Sequence, residues 1–177
     1  MTFLAISGSA RRASTTTALL RALQSAATPA HTITVFDRVG ELPIFSPDRE
    51  LPSPPDSVAE LANAIADADG LIVASPEYIR AIPGGLKNAI DWLLSCDALI
   101  DTPIVLAHAS HRGDDMLGQL RLVLGTVSTR FNEAMFLRVP LMKKTPEEIA
   151  RLLSKDASQT ELLDFLTRFA AYCGSAD

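Results

Sequence analysis

Cysteine is scarce in this chain, since Cys96 and Cys173 are the only two among its 177 residues. They are far apart in the sequence, form no CxxC or Cys/His spacing, and fall in segments predicted to be helical. This pattern argues against a disulfide framework and against a cysteine metal site. Two buried or unreactive thiols are the expectation.

The chain also lacks an excess of positive charge and any long apolar run. Its formal net charge is -5, and its basic residues cluster no further than the pairs at 11–12 and 143–144. Nucleic acid is therefore not expected as a partner. No stretch approaches the roughly 20 apolar residues that span a bilayer, and the amino terminus lacks a basic segment before its apolar run. We expect a cytoplasmic protein without a membrane partner.

The chain has enough hydrophobic residues, 47%, to bury a core, and its length suits a single domain over residues 1–177. Apolar runs alternate with segments of helical periodicity. The runs are residues 3–7, 32–36, 71–75, 104–109 and 134–139. This alternation predicts an α/β fold with a parallel sheet and helices on both faces.

The composition of the runs indicates their places in the sheet. The first, third and fourth are almost continuously apolar, as central strands are. The second and fifth are mixed and carry Thr32, Thr34 and Arg138, which suits edge strands. These features favour a three-layer sandwich with strand order 2-1-3-4-5, although other doubly wound orders fit the same pattern.

Five helices are predicted between and after the strands. They cover residues 14–27, 56–68, 83–96, 115–124 and 161–172, and a proline-rich loop covers 42–55. In such sheets ligands bind at the carboxyl ends of the central strands. The loops that follow strands one, three and four are therefore the candidate site.

The first loop, residues 8–17, reads GSARRASTTT. Hydroxyl groups, free N–H groups at the start of a helix and Arg11 together make a plausible phosphate cradle. The loop is neither a Walker loop nor a GxGxxG turn, which disfavours a nucleotide triphosphatase and a dinucleotide-binding Rossmann fold. Alternatively, Ser14 or Thr15 only caps the helix and the arginines are solvated.

The second loop, residues 75–85, reads SPEYIRAIPGG and continues into LKNAIDW. Together with GSxRxxS in the first loop, SPEY and PGGLKNAIDW resemble the NADPH-dependent FMN reductase family, which includes bacterial quinone and chromate reductases and some azoreductases. The resemblance covers essentially the whole chain. It implies a flavodoxin-like fold, bound FMN, NADPH or NADH as co-substrate, and a homodimer or homotetramer.

The resemblance also implies roles for individual residues. Ser9, Arg11, Ser14 and Thr16, with Thr15 beside them, occupy the phosphate-binding positions. The segment that borders the flavin ring consists of Pro76, Glu77, Tyr78 and Ile79. Thr16 and Ile79 stand where the family usually has asparagine, so one polar side chain is reduced and one is lost.

The third loop, residues 109–115, departs from the family, whose members tend to have a glycine-rich turn here. This chain keeps only Gly113, preceded by Ser110, His111 and Arg112. We expect Ser110, His111 and Gly113 at the far edge of the flavin, with His111 and Arg112 replacing main-chain donors. The alternative is a surface turn in which Asp114 or Asp115 caps the next helix.

The function that the resemblance implies is an oxidoreductase in which FMN passes electrons from NAD(P)H to a quinone, flavin, azo or metal-oxyanion acceptor. The cofactor carries the chemistry, so no catalytic side chains and no metal are expected. Two other functions fit the sequence: a flavin-binding electron carrier without NAD(P)H turnover, and an FMN-deficient relative with a structural or regulatory role.

Overall fold

A computed structural model describes residues 1–175, over which five β-strands alternate with helices. The strands are β1 (Thr2–Ser7), β2 (Thr32–Phe36), β3 (Gly70–Ala74), β4 (Ile104–His108) and β5 (Phe131–Arg138). The helices are α1 (Thr15–Ala27), α2 (Asp56–Ala66), α3 (Gly84–Ser95), α4 (Asp114–Val127), α5 (Pro146–Leu153) and α6 (Asp156–Gly174), with a short 3-10 helix at Pro47–Arg49.

The sheet has the order β2-β1-β3-β4-β5, and all of its neighbouring strands are parallel. This confirms the predicted order and the flavodoxin-like three-layer architecture. Every residue of β3 and β4 is buried, as is all of β1 except Thr2. The two strands with mixed composition lie at the edges, where one side of each strand meets solvent.

Two hydrophobic cores lie on the two faces of the sheet, because successive strand residues point to opposite sides. On one face, Phe3 and Ile72 pack with residues of α1, α5 and α6, including Phe169. On the other face, Leu4 and residues of α2, α3 and α4 form the second core, which contains the fully buried Trp92. Helices therefore cover both faces, and the carboxyl ends of the central strands stay open.

The structure differs from the predicted elements mainly near the carboxyl terminus. Helix α5 was not predicted, because a helix of eight residues is too short for a long apolar stripe. Its start is nevertheless marked by a capping box between Thr145 and Glu148. Helix α6 begins at Asp156 instead of 161. Strand β5 begins at Phe131 instead of 134, because the polar Asn132 and Glu133 precede its apolar run, and its pairing with β4 is irregular between Ile104 and Leu106.

The two cysteines are free thiols. Burial raises the pKa of the Cys173 thiol to about 11, which disfavours the reactive thiolate at neutral pH. None of the helices in residues 1–175 combines the length and the apolar character needed to cross a membrane.

Candidate functional site

The three loops meet around a cleft of about 310 Å³ at the carboxyl ends of β1, β3 and β4. The volume lies at the lower end of the range of small-molecule sites, roughly 300–1,000 Å³. The residues that line the cleft are Thr15, Thr16, Ser75, Pro76, Glu77, His108, Ala109, Ser110, Arg112, Gly113 and Met142. All three predicted loops thus contribute to one cavity.

The first loop is shaped by two buried serines. Ser9 Oγ accepts a hydrogen bond from the Arg11 N–H at 3.2 Å. Ser14 is the N-cap of α1, and its Oγ accepts from the Thr17 N–H at 3.4 Å. The Gly8 N–H donates to the Ala74 carbonyl at 2.7 Å, which fastens the start of the loop to β3. Together, the two local serine bonds and the bond to β3 set the direction in which α1 leaves the sheet.

The start of α1 leaves main-chain donors free at the cleft. The first N–H groups of an α-helix have no partner within the helix. Ser14 satisfies Thr17 through its side chain and Ala18 through its carbonyl, so the N–H groups of Thr15 and Thr16 are the ones left over. Both threonines line the cleft. Free donors and the positive end of the helix dipole make this a place for an anion.

Arg11 and Arg12 flank these donors on the same loop. Both side chains are exposed, and neither forms an ion pair with any residue in the described part of the chain. A guanidinium that no carboxylate neutralises strengthens the attraction for an anionic group. The first loop therefore carries two positive charges, close in sequence to the start of α1, that no described carboxylate neutralises.

The second loop is fixed to α4 through Glu77, whose Oε2 accepts a hydrogen bond from the Met116 N–H at 3.2 Å. Beyond Glu77 the chain makes a two-residue hairpin closed by paired bonds between Tyr78 and Ala81 at 3.2 and 3.1 Å. The φ angles of Ile79 and Arg80 are +50° and +58°, as a type I′ turn requires. The tip of this hairpin projects beside the cleft, and Ile79 is 99% exposed.

Two contacts hold this unusual hairpin against α4. The hairpin is locally strained at Ile79, because a β-branched residue rarely adopts a positive φ. Arg80 forms an ion pair with Asp115 at 2.6 Å, and Gln119 donates to the Arg80 carbonyl at 2.9 Å. The hydrogen bond from Arg80 lowers the pKa of Asp115. The hairpin is thus anchored by the helix that follows the third loop.

The third loop is held from β5 by Arg138. Its Nε donates to the Ser110 carbonyl at 2.8 Å and its Nη2 to the Arg112 carbonyl at 3.1 Å. The same guanidinium pairs with Asp114 at 2.8 Å. Gly113, with φ +100°, is the N-cap of α4 and has no side chain to offer, so in the first turn it is Glu77 that accepts from the Met116 N–H. The expectation that Asp114 or Asp115 caps α4 is therefore wrong, because both carboxylates pair with arginines instead.

Buried His108 connects the second and third loops. Its Nδ1 lies 3.0 Å from the Ser75 carbonyl oxygen, and its Nε2 lies 2.6 Å from the Arg112 carbonyl oxygen. A Cβ atom at position 113 would lie 2.8 Å from His108 Nε2, so glycine is needed there for space as well as for its φ angle. The ring sits at the floor of the cleft.

The structure brings part of the predicted set into the cleft wall. Thr15, Thr16, Pro76, Glu77, Ser110 and Gly113 line it. The remaining predicted residues lie on the same loops outside the wall: Ser9 and Ser14 are buried and shape the first loop, whereas Arg11, Tyr78, Ile79 and His111 are exposed. Arg112, which was considered together with His111, does line the cleft.

Sequence reasoning missed Ser75, His108, Ala109 and Met142 as lining residues. Ser75 belongs to the SPEY motif, and that motif was the available signal for it. His108 was interpreted only as part of a buried strand. Met142 reaches the cleft because the Val139 and Leu141 N–H groups donate to the His108 and Ala109 carbonyls, at 2.9 and 3.2 Å. No sequence pattern indicates that placement.

Comparison with known proteins supports the same assignment of fold and family. A family model described as NADPH-dependent FMN reductase matches residues 1–136. The chain is 35% identical over 112 residues to the CrdA subunit of an NADH:(hydroxy)cinnamate reductase from Vibrio ruber, covering 63% of this chain and 54% of the relative. It is 33% identical over 106 residues to a quinone reductase of Escherichia coli K12, covering 58% and 56%.

A 2-hydroxy-1,4-benzoquinone reductase from Burkholderia sp. is 44% identical over 85 residues, covering 48% of this chain and 45% of that protein. The chain thus spans about half the length of the curated relatives it matches. Among solved structures, the flavoenzyme NAD(P)H:(acceptor) oxidoreductase FerB from Paracoccus denitrificans superposes with a TM-score of 0.73 at 20% identity, covering 97% of this chain and 98% of FerB. The apo form of an NADH:FMN oxidoreductase, EMOB, superposes with a TM-score of 0.63 at 23% identity, covering 99% of this chain and 91% of EMOB. At these identities, the structural matches establish the fold.

Proposed function

This chain belongs to the NADPH-dependent FMN reductase family, and we propose that it is an FMN-containing oxidoreductase that passes electrons from NADPH or NADH to a small acceptor. The acceptor class comprises quinones, flavins, azo compounds and metal oxyanions. The observation that carries this proposal is the cleft at the sheet edge, where free N–H groups of α1 face the second and third loops.

The residues present fit the phosphate of FMN. The first loop offers the unpaired N–H groups of Thr15 and Thr16 and the helix dipole, which suit a dianionic group. A Cβ at Gly8 would lie 2.8 Å from Leu86 Cδ2 of α3, 3.0 Å from Ser75 Oγ and 3.3 Å from the Ala74 carbonyl oxygen, so glycine suits the close approach of the loop to α3 and to the end of β3. We assign phosphate binding to Ser9, Arg11, Ser14, Thr15 and Thr16, with the two serines acting by shaping the loop.

The second and third loops fit the two sides of a flat ring. We assign one side to Pro76, Glu77, Tyr78 and Ile79, and the far edge to Ser110, His111 and Gly113. When bound, FMN supplies hydride and single-electron chemistry, which side chains do not provide. The protein binds, orients and shields the reacting groups, so no catalytic side chain is assigned.

The exposed rim of the cleft favours flat acceptors and a nucleotide donor. Tyr78 is half exposed at the base of the hairpin and offers an aromatic face beside the cleft. Arg80 forms an ion pair with Asp115, whereas Arg112 is exposed and has no ion pair within residues 1–175. Arg112 is therefore the better placed of the two to meet a nucleotide phosphate.

The decisive experiment is the absorption spectrum of the purified protein, recorded after FMN titration and again after NADPH addition without oxygen. We expect FMN uptake followed by bleaching of the flavin band, and sustained NADPH oxidation when a quinone is added. Uptake without bleaching by NADPH or NADH would favour the electron carrier. A protein that takes up no FMN would favour the structural or regulatory relative, and either result would refute the proposed reductase.

We further propose one domain over residues 1–177, of which positions 176 and 177 lie outside the described residues, and a cytoplasmic homodimer or homotetramer. The partner is a small-molecule acceptor, with neither nucleic acid nor membrane involved. Net charge of -5 supports the absence of a nucleic-acid partner. Light scattering of the purified protein across a concentration series tests the assembly, and a monomer at all concentrations would contradict it.

A further inference from the structure

His108 is the last residue of β4 and is 1% exposed, yet both of its ring nitrogens lie within hydrogen-bond distance of main-chain carbonyls. The Ser75 oxygen is 3.0 Å from Nδ1 and the Arg112 oxygen is 2.6 Å from Nε2. One carbonyl belongs to the second loop and the other to the third. The imidazole ring therefore bridges the two loops that flank the cleft.

The two carbonyls restrict the chemical form of the ring. A carbonyl oxygen accepts hydrogen bonds and has no proton to give, whereas a neutral imidazole has a single N–H group. A neutral ring would therefore direct a nitrogen lone pair at one of the two oxygens, in a site shielded from water where an unmade hydrogen bond is unfavourable. The imidazolium donates from both nitrogens and satisfies both contacts.

The charges around the ring come from several elements. The second loop contributes Glu77, which lines the cleft and whose Cβ would lie 3.7 Å from a Cβ added at Gly113. Strand β5 contributes Arg138, which donates to the same Arg112 carbonyl and is itself paired with Asp114. Helix α4 contributes Asp115, which forms an ion pair with Arg80.

The exposed Arg112 side chain is the other cation nearby, and α1 presents only the uncharged Thr15 and Thr16. Burial of the ring and the guanidinium groups of Arg112 and Arg138 disfavour a positive charge on His108. The two carbonyl acceptors and the carboxylates favour it.

We propose that His108 is a positioning residue: as an imidazolium it ties the second loop to the third and thereby sets the width of the cleft. The effect on FMN rests on the proposed function, whereas the protonation of the ring and the tie between the loops do not. When the ring loses its proton at higher pH, one of the two bonds is lost, the loops are released from each other and the ligand is held less tightly.

The first test uses the FMN-free wild-type protein and depends on neither a variant nor a cofactor. Histidine ring nitrogens are followed by nitrogen-15 NMR from about pH 5 to pH 8, the range in which histidine ordinarily titrates. We expect both His108 nitrogens to be protonated in the neutral range. We also expect the protection factors of the amides of the second and third loops, which correct for the intrinsic rise of exchange with pH, to fall as the ring is deprotonated. A ring with one unprotonated nitrogen throughout this range would overturn the proposal.

The second test measures FMN dissociation constants against pH for the wild type, for His108→Gln and for the distant control His31→Gln. A glutamine side chain donates from one end only, so it cannot bridge two carbonyls. We expect about tenfold weaker binding for His108→Gln below neutral pH, which corresponds to one lost hydrogen bond to a charged group. The difference should narrow as pH rises, and His31→Gln should follow the wild type.

The two tests separate the inference from the proposed function. If the wild type binds FMN and His108→Gln binds it equally well at every pH, His108 has no positioning role, although the reductase proposal stands. If the wild type binds no FMN, the reductase proposal fails, and the ring-nitrogen and exchange measurements still decide whether His108 is the charged tie between the loops.

Discussion

The serine side chains of the first loop bond to residues close by in the chain, whereas the main-chain carbonyls of the third loop are held by Arg138 of β5, which is distant in sequence. Ser9 bonds to Arg11 and Ser14 to Thr17, over separations of two and three residues. The third loop is held by Arg138, which is 28 residues from Ser110 and 24 from Asp114. One end of the site is therefore a local motif, and the other is a product of sheet assembly.

This difference has a consequence for stability. A local turn and cap persist as long as α1 forms, since the partners are already neighbours. The third loop depends on the pairing of β4 with β5 and on Gly113, so changes there should affect folding and binding together. Changes in the first loop should affect binding alone.

The largest expected effect is that of Gly113→Ala. Its φ of +100° disfavours any side chain, and the added Cβ would lie 2.8 Å from His108 Nε2. We expect the free energy of unfolding to fall by about 3 kcal/mol, measured by urea denaturation. The matched control is Gly118→Ala, an exposed position of α4 where a Cβ meets nothing within 4 Å. That change should stabilise by about 0.5–1 kcal/mol; equal losses for both variants would contradict the account of the third loop.

The next effect, on binding alone, is that of Arg11→Ala. Loss of charge-assisted hydrogen bonds should weaken FMN binding by about 2 kcal/mol, roughly thirtyfold in the dissociation constant, with unfolding unchanged within about 0.5 kcal/mol. Fluorescence titration of FMN measures the first quantity and urea denaturation the second. Arg151→Ala removes the same charge from α5 and should leave both unchanged. Unaltered affinity in Arg11→Ala would remove this residue from the phosphate site.

A smaller effect is expected for Arg138→Gln, which removes the contacts with Ser110, Arg112 and Asp114. The Arg138 side chain is 31% exposed, so solvent weakens these bonds, and we expect the free energy of unfolding to fall by about 1 kcal/mol. FMN affinity should fall as well, because the third loop loses its support. The comparison variant Arg168→Gln breaks an exposed pair within α6 and should lose less than about 0.5 kcal/mol. If Arg138→Gln lowers stability but leaves the affinity for FMN unchanged, the third loop does not take part in FMN binding.

The smallest effect concerns the hairpin anchor between Arg80 and Asp115. Arg80 lowers the pKa of Asp115, so this pair contributes stability above the ordinary aspartate pKa and loses it as pH falls through the lowered value. In Arg80→Ala, the pKa of Asp115 should rise towards its ordinary value, as NMR titration of the carboxyl group would show. The pair is exposed, so the effect on stability should be slight. An unchanged pKa would mean that the pair does not form in solution.

The sheet and most helices were predictable because their signals lie within short segments. Continuous apolar runs mark β1, β3 and β4, and mixed runs mark the two edge strands, so composition favoured the order that the structure confirms, although other doubly wound orders fitted the same pattern. Helix α5 was missed although Ile149, Leu152 and Leu153 fall at i, i+3 and i+4 and its capping box is visible in the sequence, because eight residues cover little more than two turns. The start of strand β5 was predicted three residues too late, because Asn132 and Glu133 are polar and the pairing with β4 is irregular in this region.

The candidate site was predictable to a different extent in each loop. In the first loop, hydroxyl residues before a helix indicate anion-binding N–H groups whatever the rest of the fold does. In the second, the SPEY motif identified Pro76 and Glu77, but the hairpin at Ile79 and Arg80 was not expected because neither residue favours a positive φ. In the third, His108 looked like an ordinary residue of a buried strand.

The sequence by itself determined the layered fold, the family and the first loop of the candidate site, because strand burial, helix caps and loop motifs are all encoded by near neighbours. Only the tertiary structure decided what holds the far end. Arg138 reaches the third loop, and His108 reaches both Ser75 and Arg112, because parallel pairing of β3, β4 and β5 aligns their carboxyl ends. Residues so far apart in the chain share no pattern in the sequence, and their contacts exist only once the sheet has formed.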